Sequence, residues 1–200
     1  MTLLEQLPRG TFREGSMPVL ETKRLILRAP RLEDAKAVAA LANDRRIAEN
    51  TARIPHPYKV SDAEGFIASA NKGNGNASFV IAQRDGTIIG GCGVSRLDEP
   101  APGLGYWLGV PYWGKGFATE AVHALIDYAF RDLDHTALHA GARVTNPASR
   151  RVLEKCGFQW TGVGLYRIRA INSSAPIDRF RLDRGIWSAI KGWGRSKKIM

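Results

Sequence analysis

Little in this 200-residue chain points to chemistry that depends on a reactive or rare residue. Its two cysteines, Cys92 and Cys156, lie far apart and form no metal-ligand spacing. A disulfide-framed scaffold and a cysteine-based zinc module are thereby excluded. Two small buried or half-buried thiols are expected, and no metal. No apolar run is long enough to cross a bilayer. The N-terminal MTLLEQLPRGTFREG carries Glu5 and Glu14 and lacks the long apolar stretch of a secretory signal. The cytoplasm is therefore the default location, with no membrane partner. Internal repeats and low-complexity blocks are also absent. What remains is a hydrophobic fraction of 44%, ordinary for a globular domain, and enough length for one domain with a real core.

Negative charge is also scarce. Twenty-nine Lys and Arg face nineteen Asp and Glu, a net charge of +10. Between Arg181 and Met200, six basic residues meet the single acid Asp183, so half of the excess sits in the last tenth of the chain. A nucleic acid, an anionic cofactor or an acidic partner would each suit such a surface. A basic end is usually solvated. Direct nucleic-acid binding is not expected.

The chain reads as one domain over residues 19–188, preceded by a loose arm (1–18) and followed by a basic tail (189–200). Leu20–Arg28 reads as a strand, with Leu25 and Leu27 on one face and Ile26 on the other. Arg31–Asn43 is an amphipathic helix with Glu33 and Asp34 in its first turn. Arg45–Glu49 adds a helical turn, and Pro55 and Pro57 exclude a helix in IPHPY. Ser61 and Glu64 form a capping box for a helix that Gly73–Gly75 stops. Strands over Ala77–Gln83 and Thr87–Ser95 are joined at Asp85-Gly86, a hairpin signal. Gly90, Gly91 and Gly93 thin the second of these, as a close backbone or ligand approach would require. Thr136–Val144 is a strand, Asn146–Phe158 a helix capped by Asn146 with Pro147 in its first turn. Phe158–Val163 and Arg179–Trp187 are the last strands, flanking a polar loop at Asn172–Ser174. The expected fold is α/β (a mixed α+β sheet, mostly antiparallel, flanked by helices), in the order β-α-α-β-β-β-α-β-α-β-β.

One stretch organises the rest: GLGYWLGVPYWGKGFATEAVHALIDYAFR, Gly103–Arg131. Leu104–Leu108 is a strand, Val110–Gly116 a turn, and Phe117–Phe130 a helix with Phe117, Ala121, Leu125 and Ala129 on one stripe. The first amides of a helix lack partners inside it, and the dipole there is positive. Glycines let backbone approach a phosphate, and Lys115 adds a cation. This turn is therefore expected to hold a phosphorylated ligand. Two ligands compete. GVPYWGKG nearly fits the P-loop pattern, but Gly116 stands where the Mg²⁺-binding hydroxyl belongs, and Pro111 removes an amide. The alternative is acyl-CoA.

The same segment resembles the central motif of the GNAT N-acetyltransferase superfamily, here Trp113, Gly114, Lys115, Gly116, Phe117 and Ala118. Trp113 stands where most members have Arg or Gln. A second motif, Asn146, Ser149, Glu154, Lys155, Gly157 and Phe158, is spaced as in that family. LETKRLILR and RFRLDRGIW resemble its branch of ribosomal-protein N-terminal acetyltransferases (RimJ/RimL-like), and the likeness runs from Leu20 to Trp187. It implies that acetyl-CoA is the co-substrate and that the amides from Trp113 through Gly114, Lys115, Gly116, Phe117 and Ala118 to Thr119 bind its pyrophosphate. The strand end Leu108, Gly109, Val110 would pair with pantetheine, with Asn146 assisting. A backbone amide near Gly109 or Val110 would polarise the thioester carbonyl. The strand before the turn and Thr136–Val144 would splay apart around the cofactor. Asn50, Thr51, His56 and Tyr106 fall where the acceptor amine binds.

Acetyl transfer to an amine requires alignment, a donor for the carbonyl oxygen, and a proton for the leaving thiolate. The tyrosine that many members use as that acid is Leu153 here. Ser149 is the nearest hydroxyl on the same helix. The carboxylate common two residues before the Gly-Tyr pair is Gly103, so Asp98, Glu99 or the helical Glu120 would have to serve. The resemblance implies an N-acetyltransferase acting on a primary amine, foremost a protein N-terminal α-amine. Small amines and antibiotics are alternative acceptors, and a non-catalytic acyl-CoA-binding module is the alternative of another class. A nucleic-acid-binding protein is a third.

Overall fold

The computed structural model describes residues 17–70, 76–95 and 103–196. Eight strands form one sheet in the order β1-β2-β3-β4-β5-β6-β8-β7. The strands are β1 (Leu20–Glu21), β2 (Leu25–Arg28), β3 (Ala77–Gln83), β4 (Ile88–Ser95), β5 (Gly103–Leu108), β6 (Ala137–Arg143), β7 (Gln159–Ile168) and β8 (Ser173–Asp183). Every neighbouring pair is antiparallel except β5 and β6, which run parallel. The helices are α1 (Ala35–Ala42), α2 (Arg45–Ala48), α3 (Val60–Ala70), α4 (Phe117–Arg131), α5 (Pro147–Lys155) and α6 (Arg184–Ser196).

Alternation along the strands divides the core in two. Phe79 and Ile81 join Leu25, Leu27, Leu104 and Leu108 beneath α4, whose Ala121, Val122, Leu125, Ile126, Ala129 and Phe130 are buried. Val80, between them, faces the other way and packs with Val38 and Ala42 of α1 and Ile67 of α3. Each large apolar side chain so buried contributes roughly 1.5–3 kcal/mol.

Four elements differ from the sequence reading. The first strand doubles back on itself: β1 and β2 pair antiparallel, Leu20 opposite Leu27. Thr22 makes the turn, its amide donating to the Leu25 carbonyl at 2.9 Å and its hydroxyl accepting from the Leu25 amide at 2.9 Å. The box at the start of α3 lies two residues earlier than expected, with the Lys59 amide donating to Asp62 Oδ2 at 2.9 Å. Its stop at Gly73–Gly75 falls outside the described residues. The polar loop shrinks to a single turn of 3-10 helix, Arg169–Ile171, closed by Asn172 at φ 49. The β7–β8 hairpin is correspondingly long, pairing from Gln159–Arg181 to Ile168–Ser173. Finally, the last strand ends at Asp183 rather than Trp187, and the basic segment turns into α6. Tertiary contacts hold that helix. Trp187 Nε1 and Lys191 Nζ reach the two oxygens of Asp127 at 2.8 and 2.7 Å, and Arg184 pairs with Asp134 at 2.7 Å. Arm residues 1–16 and the terminal 197–200 lie outside the described residues.

Candidate active site

The parallel seam is short. Only Gly103–His139 and Leu104–Ala140 pair, after which β5 and β6 diverge. The divergence opens at the C-terminal ends of both strands, one leading into the turn before α4 and the other to Asn146 and α5. The splayed strands expected from the resemblance are therefore present.

On the β5 side the chain leaves the sheet at Gly109. Its amide donates to the Ile89 carbonyl at 2.8 Å, and a Cβ there would sit 2.6 Å from Leu41 Cδ2. Of the two amides considered for the thioester carbonyl, Gly109 is thus already spent, which leaves Val110. Trp113 folds back so that its indole N–H donates to the Leu108 carbonyl at 2.7 Å. Gly114 and Gly116 adopt φ of 73 and 78, which side chains resist. Trp113, Gly114, Lys115 and Gly116 are exposed. The first intrahelical bond of α4 runs from Glu120 to Gly116 at 3.1 Å. The amides of Phe117, Ala118 and Thr119 therefore precede any helical acceptor. This is a concave row of donors at a positive helix end, with Lys115 Nζ beside it over the Tyr112 ring at 5.8 Å.

Arg24, which sequence reasoning passed over, braces this turn. Its Nη1 donates to the Lys115 carbonyl at 3.0 Å, and its guanidinium lies 4.5 Å from the centre of the Phe117 ring. Glu120 holds Arg24 there. It accepts from Thr22 Oγ1 at 2.7 Å, from the Arg24 amide at 2.8 Å and from Arg24 Nε at 2.6 Å. Burial pushes the Glu120 carboxyl upward, but the bonds from Thr22 and Arg24 outweigh it and the pKa lies below the usual value. Glu120 is thus engaged in tying the β1–β2 turn to α4 and does not line the cavity described next.

On the β6 side, Asn146 Oδ1 caps α5 by accepting from the Ser149 amide at 3.1 Å, and its NH₂ group is a donor that the cap does not use. Across the gap comes Tyr106. Its phenol oxygen lies 2.8 Å from Ser149 Oγ and donates to the Ser149 carbonyl at 3.2 Å. Burial pushes the phenol up to about 12, against the pull of Ser149. The pair therefore stays protonated at neutral pH and is a donor. Sequence reading named both residues but gave no signal that they would touch, because 43 positions separate them.

The hydroxyl pair, on the α4 side of the sheet, also lines a cavity of about 540 Å³ that reaches it through the seam and lies mainly on the opposite face. Its floor is trimmed by glycine: Gly91 and Gly93 on β4, Gly103 and Gly105 on β5, Gly141 on β6. The reasons differ. A Cβ on Gly93 would come within 2.6 Å of the Ala77 carbonyl, whereas one on Gly105 would meet nothing within 4 Å. Gly105 thus borders open space. Tyr58, Phe66, Trp107 and Tyr166 form apolar walls, and residues 50–54 close one side. Of the acceptor-site candidates, Asn50, Thr51 and Tyr106 line this cavity, and His56 does not. His56 is exposed. Asp98 and Glu99 lie outside the described residues. Cys92 lines the cavity but is buried, and burial raises its pKa; Cys156 is pushed up to about 12. Both thiols are free and too weakly acidic to act as nucleophiles. Among the described residues no group of three or more His, Cys, Asp or Glu could hold a metal. Nor is any described helix long and apolar enough to cross a membrane.

Comparison with known proteins agrees with this geometry. Residues 24–159 match the family described as acetyltransferase (GNAT) domain. The uncharacterized N-acetyltransferase p20 of Bacillus licheniformis is 34% identical over 153 residues, 74% of this chain and 85% of that protein. A solved spermidine N-acetyltransferase from Vibrio cholerae, in complex with CoA and spermine, superposes with a TM-score of 0.71 at 21% identity, covering 84% of this chain and 99% of that one. A ribosomal-protein-S5-alanine acetyltransferase from Vibrio fischeri gives 0.72 at 21%, covering 86% and 99%. Two motifs read from sequence, a seam that opens between β5 and β6, and a family match over most of the chain thus converge: the chain belongs to the GNAT acetyltransferase family, as an acetyl-CoA-dependent N-acetyltransferase.

Proposed function

We propose that the enzyme transfers an acetyl group from acetyl-CoA to a primary amine by direct attack on the thioester, with a protein N-terminal α-amine as the first acceptor to test. The observation that carries this is the Tyr106–Ser149 pair, placed where the open seam meets the cavity. In this reading the amides and Lys115 of the Trp113–Thr119 turn hold the CoA pyrophosphate, and Asn146 donates to the pantetheine arm. Acetyl-CoA supplies the activated thioester. Val110 offers an amide to its carbonyl oxygen, and Ser149, backed by Tyr106, relays a proton from water to the departing thiolate. The amine enters from the cavity, where walls of Tyr58, Phe66 and Trp107 exclude bulk water and hold it in line. The cavity's described lining carries no carboxylate, so the amine's own proton leaves through water. Positioning, rather than a strong base, supplies most of the rate. Ribosomal-type acceptors are supported by structural neighbours such as the S5-alanine enzyme. A small amine is the second reading, favoured by a cavity of about 540 Å³, which suits a compact ligand.

Thiol release from acetyl-CoA with purified protein, against N-terminal peptides, amino acids, polyamines and aminoglycosides, tests both. Peptide-dependent release with added mass at the α-amine supports the first reading, and release with small amines alone supports the second. Acetyl-CoA binding with no release across the panel would point to a binding module instead.

A further inference from the structure

The cavity has one sign of charge. Three arginines line it, Arg53, Arg143 and Arg179, together with His139, while none of its described lining residues is Asp or Glu. A polycationic acceptor would have to enter against this field, with no carboxylate to receive its second and third ammonium groups. The CoA phosphates do not explain the arginines either. The turn assigned to them, Trp113–Thr119, lies outside the cavity.

Arg143 is the most constrained of the three. It is the last residue of β6, on the cavity side of the sheet, opposite Ile177 of β8. Its Nη1 donates to the Glu49 carbonyl at 2.9 Å, which fixes the plane of the group. Its Nε is buried and has no hydrogen-bond partner among the described residues, the one side-chain nitrogen or oxygen of which that holds. A buried donor on a cation is costly to leave unmade. Because Nε has no open surface, a carboxylate in the cavity would meet the terminal nitrogens of the guanidinium end-on, while the bond to Glu49 holds the group at the wall. Arg53, whose Nη2 lies 3.5 Å from Ser95 Oγ, and Arg179, an exposed side chain, flank the same space.

Resting on the acetyltransferase reading, we infer that the acceptor amine carries a carboxylate, which Arg143 receives at the wall of the cavity while the amine points toward Tyr106 and Ser149. Such an acceptor is a free amino acid with an apolar or aromatic side chain, or a peptide whose first residues present an acidic side chain. The shared chemistry is a carboxylate held a few bonds from a primary amine.

The test uses matched acceptors with the full-length protein: L-phenylalanine, L-leucine and L-methionine against their amides, acidic against amide-matched peptides (Ala-Asp-Phe-amide, Ala-Asn-Phe-amide), and spermidine. Acetyl-CoA binding is measured separately by calorimetry. The expected result is a kcat/KM at least tenfold higher for the carboxylate member of a pair, mostly through KM. Arg143→Gln should erase that preference, and Arg143→Lys should restore only part of it. Both variants should keep the wild-type affinity for acetyl-CoA and a cooperative melt, which separates lost recognition from lost folding. Preference confined to the acidic peptide identifies a protein substrate, and preference among the amino acids a metabolite; both support the inference. Equal turnover of acids and amides, a preference for spermidine, or no turnover of any carboxylate by an enzyme that binds acetyl-CoA would overturn it. Absence of acetyl-CoA binding would instead remove the acetyltransferase reading on which it rests.

Discussion

The two sides of β5 hold different kinds of site. Where the strand ends, the turn is exposed, built from backbone amides, and braced from outside by Arg24 and Glu120. On the face turned away from α4, the cavity is walled by side chains from α1, α3, the 50–54 segment and β6 to β8. One site is contiguous in sequence and made of groups every residue has. The other is assembled from distant side chains. A contiguous backbone site can bind one fixed ligand through many substitutions, whereas a side-chain cavity can be recut for a new acceptor without disturbing the first.

The sharpest way to break that contrast is at the turn. Gly116→Val forces a β-branched side chain into φ 78 at the N-terminus of α4. Strain of about 1–3 kcal/mol, relieved when the turn is free to relax, corresponds to roughly a fivefold to 150-fold loss of acetyl-CoA affinity, measured by calorimetry. Next, Gly105→Val should do the reverse. A Cβ placed there has nothing within 4 Å, so the new side chain grows into the cavity. Acceptor KM should rise roughly tenfold while acetyl-CoA affinity stays within about twofold, as loss of acceptor binding alone requires. A loss of cofactor affinity in this variant would mean that the two sites are one. Ser149→Ala and Tyr106→Phe probe the point of contact between them. If positioning dominates, each lowers kcat by less than roughly a hundredfold, below the range of a full general acid. A larger loss at intact acetyl-CoA affinity would make proton donation the main source of rate.

The smallest expected effect on turnover belongs to Glu120→Gln. It should reduce stability by about 1–3 kcal/mol through the lost charge-assisted bonds to Thr22 and Arg24. At saturating acetyl-CoA its kcat should stay within about threefold of wild type, since a residue outside the reacting groups does not alter the chemical step. A hundredfold loss would return Glu120 to the catalytic candidates. The sign of its pH dependence follows from its depressed folded pKa. Its contribution is fully present above the unfolded carboxyl value and is lost as pH falls through the folded one. Asp34 should behave alike: burial raises its carboxyl, and bonds from Arg28 at 2.8 Å and the Arg31 amide at 2.7 Å more than reverse it. Melting temperature should fall as the solution is taken below about pH 4, near the unfolded carboxylate range, and the drop should be smaller in Glu120→Gln.

Legibility in the sequence followed the same divide. The turn could be read because glycine, helix start and lysine fall within a few residues, and Asn146 because a cap needs only its own helix. Helix α4 was visible from its stripes. The partners of Glu120 could not be read, because Thr22 and Arg24 come from a turn that breaks the apparent strand Leu20–Arg28, and alternation alone cannot show a strand doubling back. Trp187 was placed on a strand because RFRLD alternates to that point. It belongs to α6 because Asp127 and Phe130, sixty residues earlier, offer its indole a partner and a packing surface. Arg143 carried no signal at all. Its significance lies in its place on the cavity wall with Arg53 and Arg179, which the pairing of β6 with β8 and the fold of residues 50–54 set together.

The short seam between β5 and β6 has a mechanical consequence. Within the sheet itself only two residue pairs join a five-stranded half to a three-stranded half, with helices α4 and α5 packed across the join. A molecule lodged in that opening acts as a splint. Amide hydrogen exchange near Leu104 and Ala140 should slow more on addition of acetyl-CoA than exchange at the β3–β4 ladder. Melting should also become sharper as well as later, because the cofactor would bind two halves into a single cooperative unit.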